Sequence, residues 1–238
     1  MKAFILILSA CLVGACSSPI KPVNFKSVAS DEKNYTYVDD MQSDKFIVNN
    51  PQAFKQFNKV IVFASQFDKL TISMSTDKKL AESWNASSWS EMDKICQNLD
   101  DFTKKIFRDR KEFVPTNKGG EDVLAIQFTL IDFMPSTARY KDASKGTVGT
   151  ETSHAGIGVV TIRGVLANAK TGELVGLVEE TMEVNAGGTS VGAGSLAFAQ
   201  DSNSKAAHNM AWRRTFRLFL EKFHDDLVRL KYADTVTN

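Results

Sequence analysis

Cysteine, histidine and proline are scarce in this 238-residue chain, with three, three and five copies. So few cysteines cannot build a disulfide scaffold, and so few histidines leave little for a clustered metal site. An excess of charge of one sign is also missing. With 29 Lys+Arg against 28 Asp+Glu, the strongly basic balance of a nucleic-acid protein is not there. Nor is any apolar run long enough to span a bilayer, which excludes a polytopic membrane protein. What remains is ordinary globular composition, 43% hydrophobic, 10% aromatic and 24% charged, which excludes a mainly disordered or collagen-like chain. The length suits one domain with a long arm.

The N-terminus reads Met1-Lys2, an apolar run from Ala3 to Val13, then Gly14-Ala15-Cys16. One basic residue followed by roughly ten apolar ones is the pattern of a secretory signal peptide. Val13-Gly14-Ala15-Cys16 resembles the bacterial lipobox, a branched apolar residue, two small residues and a cysteine. That resemblance implies a diacylglyceryl group on the Cys16 thiol, cleavage before Cys16, and N-acylation (commonly palmitate) of the new terminus. Leu8-Ser9-Ala10-Cys11 is similar, but cleavage there leaves an apolar core of only about six residues, below the usual length. Ser17-Ser18 follow without an aspartate, which resembles lipoproteins released to the outer membrane.

Removal of the first fifteen residues leaves 223, takes Lys2 with it and balances the charges at 28 against 28. Cys96 is then the one free thiol, so no intramolecular disulfide can form. Residues 16–55 are polar and mixed, broken by Pro19, Pro22, Asp39-Asp40 and Asn49-Asn50-Pro51. They are expected to carry the lipidated Cys16 and a flexible tether, with a single periplasmic domain over 56–234.

Within that domain, Lys59 to Ala64 is a short apolar run expected as a buried strand. Ser88 with Glu91 forms a capping-box pattern. Behind it Trp89, Met92, Ile95, Cys96, Leu99, Phe102 and Ile106 make one apolar stripe on a helix ending near Arg110. Cys96 lies on the stripe and reads as a buried, inert thiol. Val123 to Phe133 alternates and then changes phase, which suggests a bulge. Gly158 to Asn168 and Leu174 to Val184 read as a hairpin with Gly172 at its left-handed turn position. Trp212, Phe216, Phe219, Leu220, Phe223, Leu227 and Leu230 line a closing helix. Arg213, Arg214, Arg217, Lys222, Asp225, Asp226 and Arg229 are placed on its other face. Because that face mixes signs, docking on the sheet is favoured over a membrane-surface helix. The expected fold is α+β: a mixed or antiparallel sheet, in strand–helix–strand–hairpin–helix order, covered by two amphipathic helices.

Several pieces together resemble a family of proteobacterial lipoproteins, domain-of-unknown-function family 3313. They are the lipobox, Phe46 to Pro51 ahead of Phe57-Asn58-Lys59-Val60, the strand at Ala125-Ile126-Gln127, the turn Lys170-Thr171-Gly172-Glu173, and the Trp212 helix. The resemblance covers most of the mature chain. It implies a lipid-anchored periplasmic domain and lends no catalytic residue.

Chemical motifs are weak. Gly188-Thr189-Ser190-Val191-Gly192 matches the nucleophile-elbow pattern, but 11 of 14 glycines fall between Gly146 and Gly194, where chance makes such a match common. The following helix starts late, and too little chain remains for an α/β-hydrolase sheet, although Asp201 and His208 could be recruited on paper. No Gly-Lys-Ser/Thr follows the same loop, so a phosphate cradle is not expected. His154 lies in a long loop, and His208 and His224 sit about 160° apart on one helix, so no metal site is expected. Asp39-Asp40, Asp100-Asp101 and Asp225-Asp226 read as solvated faces.

These readings point to an outer-membrane lipoprotein facing the periplasm, with a non-enzymatic binding, accessory or scaffold role. Its partners would be the membrane, through its lipid, and another envelope protein. No cofactor and no nucleic acid are expected. The alternative is an envelope hydrolase or a small-ligand or lipid-binding protein with a site near loop 135–157, around Arg139, Tyr140, Lys141 and His154.

Overall fold

The computed structural model describes residues 24–30, 33–85, 89–136, 157–185 and 205–232. The strands are β1 (Asn24–Ser30), β2 (Lys33–Asp39), β3 (Lys45–Val48), β4 (Lys59–Val62), β5 (Thr71–Ile72), β6 (Val114–Pro115), β7 (Val123–Pro135), β8 (Gly158–Asn168) and β9 (Leu174–Val184). A 3-10 helix spans Pro51–Gln56, and the α-helices are α1 (Lys78–Asn85), α2 (Trp89–Asp109) and α3 (Lys205–Tyr232). The sheet runs β1-β2-β3-β9-β8-β7-β4-β6, with β5 also pairing with β7. From β1 to β7 every pairing is antiparallel, whereas β4 and β5 join β7, and β6 joins β4, in parallel. The fold is therefore α+β with a mixed sheet, as expected.

The central hairpin follows from sequence pattern. Along β8 the even-numbered residues from Gly158 to Asn168 are buried and the odd-numbered ones are not, the period-two signature of a half-covered sheet. The register of β7 against β8 shifts between Leu130 and Asp132, placing a bulge where the alternation changed phase. The β8–β9 turn puts Gly172 at φ 71°, and Asn168 Oδ1 accepts from the amides of Lys170 and Thr171.

The covered face is aromatic. Phe128 of β7 meets Phe219 and Phe223 of α3, each at 5.2 Å between ring centroids, and Phe46 of β3 stacks on Phe223 at 6.4 Å. Trp212 packs on Phe133 at 5.4 Å. Each such fully buried ring stabilises the fold by about 1.5–3 kcal/mol. The α2 stripe closes beside α3, with Ile95, Cys96, Leu99 and Phe107 buried. Trp84 of α1 sits between Phe133 and His208 on the same face. Asp77 caps α1 by accepting from the amides of Lys79 and Leu80.

Two expectations need correction. The stretch 16–55, read as a lipidated tether, contributes β1, β2, β3 and the 3-10 helix. Val38, Phe46, Val48 and Phe54 are buried in the core, in runs too short and too interspersed with polar residues to show a period. Asp226, read as solvent-facing, is 0% exposed. The Ser88 half of the capping box lies outside the described residues.

Candidate functional site

The polar chemistry within the described structure gathers along α3, where five buried polar residues, His208, Thr215, His224, Asp226 and Lys231, interrupt the apolar stripe. Asp226 accepts hydrogen bonds from the Gln42 amide at 2.8 Å, the Ser43 amide at 2.9 Å and the Ser43 hydroxyl at 2.8 Å. Burial pushes its carboxyl above the ordinary range, and those hydrogen bonds pull the other way. Arg229, one turn on, donates to the carbonyl of Asp40, which holds the left-handed φ of 61° in the same loop. One strand away, Glu180 of β9 is 1% exposed. It accepts from the Asp44 amide at 2.7 Å and from Lys222 Nζ at 2.7 Å, while the Asp44 carboxylate accepts from the Thr181 amide. Together these bonds fasten loop 40–44 to both α3 and β9.

The second cluster lies where α2 ends. The His224 ring is 1% exposed and rests between Phe107 and Phe113, at 5.4 and 6.1 Å. Its Nδ1 is 3.5 Å from Arg110 Nη1, and Arg110 also donates to Asp225. A guanidinium is always a donor, so Nδ1 is the accepting nitrogen and Nε2 carries the proton. That N–H faces Glu112 Oε2 at 3.6 Å, too long for a hydrogen bond, and among the described residues neither atom has another partner. Burial holds the imidazole below its ordinary range, with Arg110 adding to the shift. Lys231 donates to the Glu112 carbonyl at 2.8 Å and lies over the Phe113 ring at 4.8 Å. The cluster joins α2 and the segment after it to α3.

The sheet's other face is different. All three α-helices pack on the aromatic side, so among the described residues no helix covers this one. Register puts Tyr37, Ile47, Leu177, Val165 and Gln127 in one row across five strands. The next row carries Lys45, Glu179 and Arg163, paired at 3.6 and 2.6 Å, and the Thr161 and Thr181 hydroxyls meet at 3.0 Å one row further. Apolar, charged and hydroxyl side chains thus alternate by row across this face.

Cys16, Arg139, Tyr140, Lys141, His154, Ser190 and Asp201 all lie outside the described residues, as does nearly all of loop 135–157. His208 and His224 are both buried on α3, about 24 Å apart along its axis, so they do not meet. His208 instead stacks on Trp84 at 5.9 Å. Among the described residues no group of three or more His, Cys, Asp or Glu is placed to hold a metal ion, and no helix is long and apolar enough to cross a membrane. Cys96 is buried, and desolvation pushes its thiol up to about 12, with Asp100 and Asp93 adding to the rise. Asp100 is not merely solvated, since it accepts from the amide and hydroxyl of Ser65.

The braces at Asp226, His224 and Glu180 were legible in hindsight. Asp226 falls three residues after Phe223 and four before Leu230, and His224 four after Leu220, which are positions of the apolar stripe. Glu180 shares the parity of Val178 and Val184 on β9, which marks the buried face.

No protein-family model matches the chain, and neither does any curated protein. Among solved structures, a point-variant PelC dodecamer from Paraburkholderia phytofirmans is similar at 11% identity and a TM-score of 0.30, over 70% of this chain and 87% of that one. A second PelC dodecamer structure from the same organism gives 10% identity and a TM-score of 0.28, over 70% and 89%.

Proposed function

We propose that this is an envelope lipoprotein, anchored in the bacterial outer membrane through acylated Cys16, whose periplasmic domain acts by binding another envelope component. In this reading α2 and α3 are the two amphipathic helices that cover one sheet face, and strand, helix, strand, hairpin, helix is the order of the domain's core. The resemblance to family 3313 belongs to the same reading. The observation that carries the binding role is the sheet face that none of the described helices covers. Its row from Tyr37 to Val165 borders the Lys45–Glu179–Arg163 charges on one side, the mixed apolar and charged composition of contact surfaces. The anchor rests on Val13-Gly14-Ala15-Cys16 behind its apolar run.

Two measurements test the two halves. Metabolic labelling with radioactive palmitate is expected to mark the wild-type protein in the outer-membrane fraction and to miss Cys16→Ser; equal labelling of both refutes the anchor. Crosslinking in intact cells followed by pulldown is expected to recover a specific envelope protein, and Val165→Asp with Leu177→Asp is expected to lose it. Recovery unaffected by those two substitutions refutes the sheet face as the binding surface.

A further inference from the structure

The outer face of α3 changes character along its length. From Lys205 to Leu220 the chain has four basic residues, Lys205, Arg213, Arg214 and Arg217, and no acidic one; acids begin at Glu221. At 3.6 residues per turn, Met210, Arg213, Arg214, Arg217 and Leu218 share one side of the helix. All five are exposed, Met210 by 57% and Leu218 by 44%. Among the described residues Arg213 and Arg214 form no ion pair. Arg213 lies over the Phe102 ring at 5.6 Å, and Arg217 is only loosely paired, 3.9 Å from Glu221. Of the acids that follow, Glu221 stands on the same side one turn past Arg217 and offsets part of its charge, while the next two leave the patch. Asp226 is turned into the domain toward Ser43, and Asp225 is taken by Arg110. The exposed surface is therefore cationic with two apolar side chains beside the arginines.

A second observation concerns where the chain enters the domain. Asn24, the first residue of β1, pairs with Asp39, and the next residue, Asp40, accepts from Arg229 of α3. Cys16 precedes Asn24 by eight residues, at most about 28 Å of chain. Arg217 lies twelve residues before Arg229, about 18 Å along the helix axis. A lipid on Cys16 thus holds the cationic face within reach of the surface in which it is anchored.

We propose that the outer face of α3 docks on an anionic phospholipid headgroup layer, the domain lying against the membrane instead of hanging free of it. The guanidinium groups bind phosphate oxygens bidentately, and Met210 and Leu218 enter the headgroup–acyl boundary. The biological setting rests on the lipoprotein reading; the surface chemistry does not. Each arginine held at an anionic surface strengthens binding about fivefold, so three together give on the order of a hundredfold. The attraction is screened within about 10 Å at ordinary salt and falls as salt rises.

The test uses the chain from residue 16 with Cys16→Ser, which keeps every described element and has no acyl group. It is co-sedimented with vesicles of phosphatidylcholine alone or with added phosphatidylglycerol. Binding is expected only to the phosphatidylglycerol vesicles, weakening as sodium chloride is raised. R213Q/R214Q/R217Q is expected to lower that binding on the order of a hundredfold. R213K/R214K/R217K is expected to keep most of it, and K78Q/K79Q on α1 to keep all of it. An unchanged circular dichroism melt shows that the variants are folded; if the glutamine variant unfolds, comparison of the single variants replaces it. Absence of binding, equal binding to neutral vesicles, or binding indifferent to the three arginines overturns the proposal. So does arginine-dependent capture of an acidic protein without vesicle binding. Palmitate labelling of the wild type is scored separately, so failure of the anchor and failure of the patch are told apart.

Discussion

Asp226 is the most heavily used buried carboxylate in the described structure, and replacing it with alanine separates bracing from mere burial. Asp226→Ala removes the acceptor for the Gln42 amide, the Ser43 amide and the Ser43 hydroxyl. The Ser43 amide stays enclosed, whereas the Gln42 amide is partly open to water and the hydroxyl can rotate. An orphaned buried donor costs about 1–3 kcal/mol, and only the Ser43 amide incurs that cost in full, so the three together amount to about 4 kcal/mol. Relief of the buried charge returns part of that, since burial already holds this carboxyl above its ordinary range. The net expectation is a loss of about 3 kcal/mol. With a urea slope of about 3 kcal/mol per molar, the unfolding midpoint falls by about 1 M. Urea titration followed by tryptophan fluorescence measures it, and Ser43→Ala with the double variant gives the coupling, expected at about 1 kcal/mol. A loss below about 0.5 kcal/mol, the range of an ordinary surface substitution, refutes the bracing role and returns Asp226 to the solvated face.

Three further predictions concern other parts of the core. His224 is held below its ordinary value, so the unfolded chain takes up its proton first as pH falls. The stability it protects is complete above about pH 6.5 and is lost as pH falls from there toward the folded value; His224→Gln is expected to flatten that slope in urea midpoints taken between neutral and mildly acidic pH, and an identical slope sinks the assignment. A methyl group on Gly164 would meet Val178 Cγ1 at 2.6 Å and the Phe128 ring at 2.9 Å, so Gly164→Ala is expected to lower stability by about 1–3 kcal/mol, with unchanged calorimetric stability as the contrary result. Cys96, buried with its thiol pushed up to about 12, is expected to ignore a disulfide reagent in the native state and to react on unfolding in urea; stoichiometric labelling of the native protein contradicts its burial.

Several elements could be read locally. β8 alternates with period two over its eleven residues and β9 does so from Gly176 to Val184, Gly172 marks their turn, and the α3 stripe repeats at helical spacing. The bulge in β7 showed as a change of phase. The strands β1 to β3 could not be read that way, because what ties them to the sheet is the pairing of β3 with β9, distant in the chain, while β2 and then β1 add on as sequence neighbours. Phe46 opposite Val178 is a contact across more than a hundred residues, and no local pattern encodes it. The two-residue strands β5 and β6 are placed by parallel pairing with β7 and β4, and α1 rests on its Asp77 cap and on Trp84 against Phe133.

The polar side of α3 shows where the division falls. Sequence alone determined that the helix is amphipathic, since apolar side chains at steps of three and four must share a face. It also determined a balanced overall charge and an N-terminal run that resembles a lipobox signal. It treated Arg213, Arg217, Asp225, Asp226 and Arg229 as one mixed-sign surface, because composition weighs each charge alike. Tertiary structure decided otherwise: Asp226 meets the amide of Ser43, 183 residues earlier, and leaves the water. Arg213, Arg214 and Arg217 stay exposed, Arg213 beside the Phe102 ring and Arg217 beside Glu221. A charge is solvated or buried according to what folds over it, and that is a property of long-range packing.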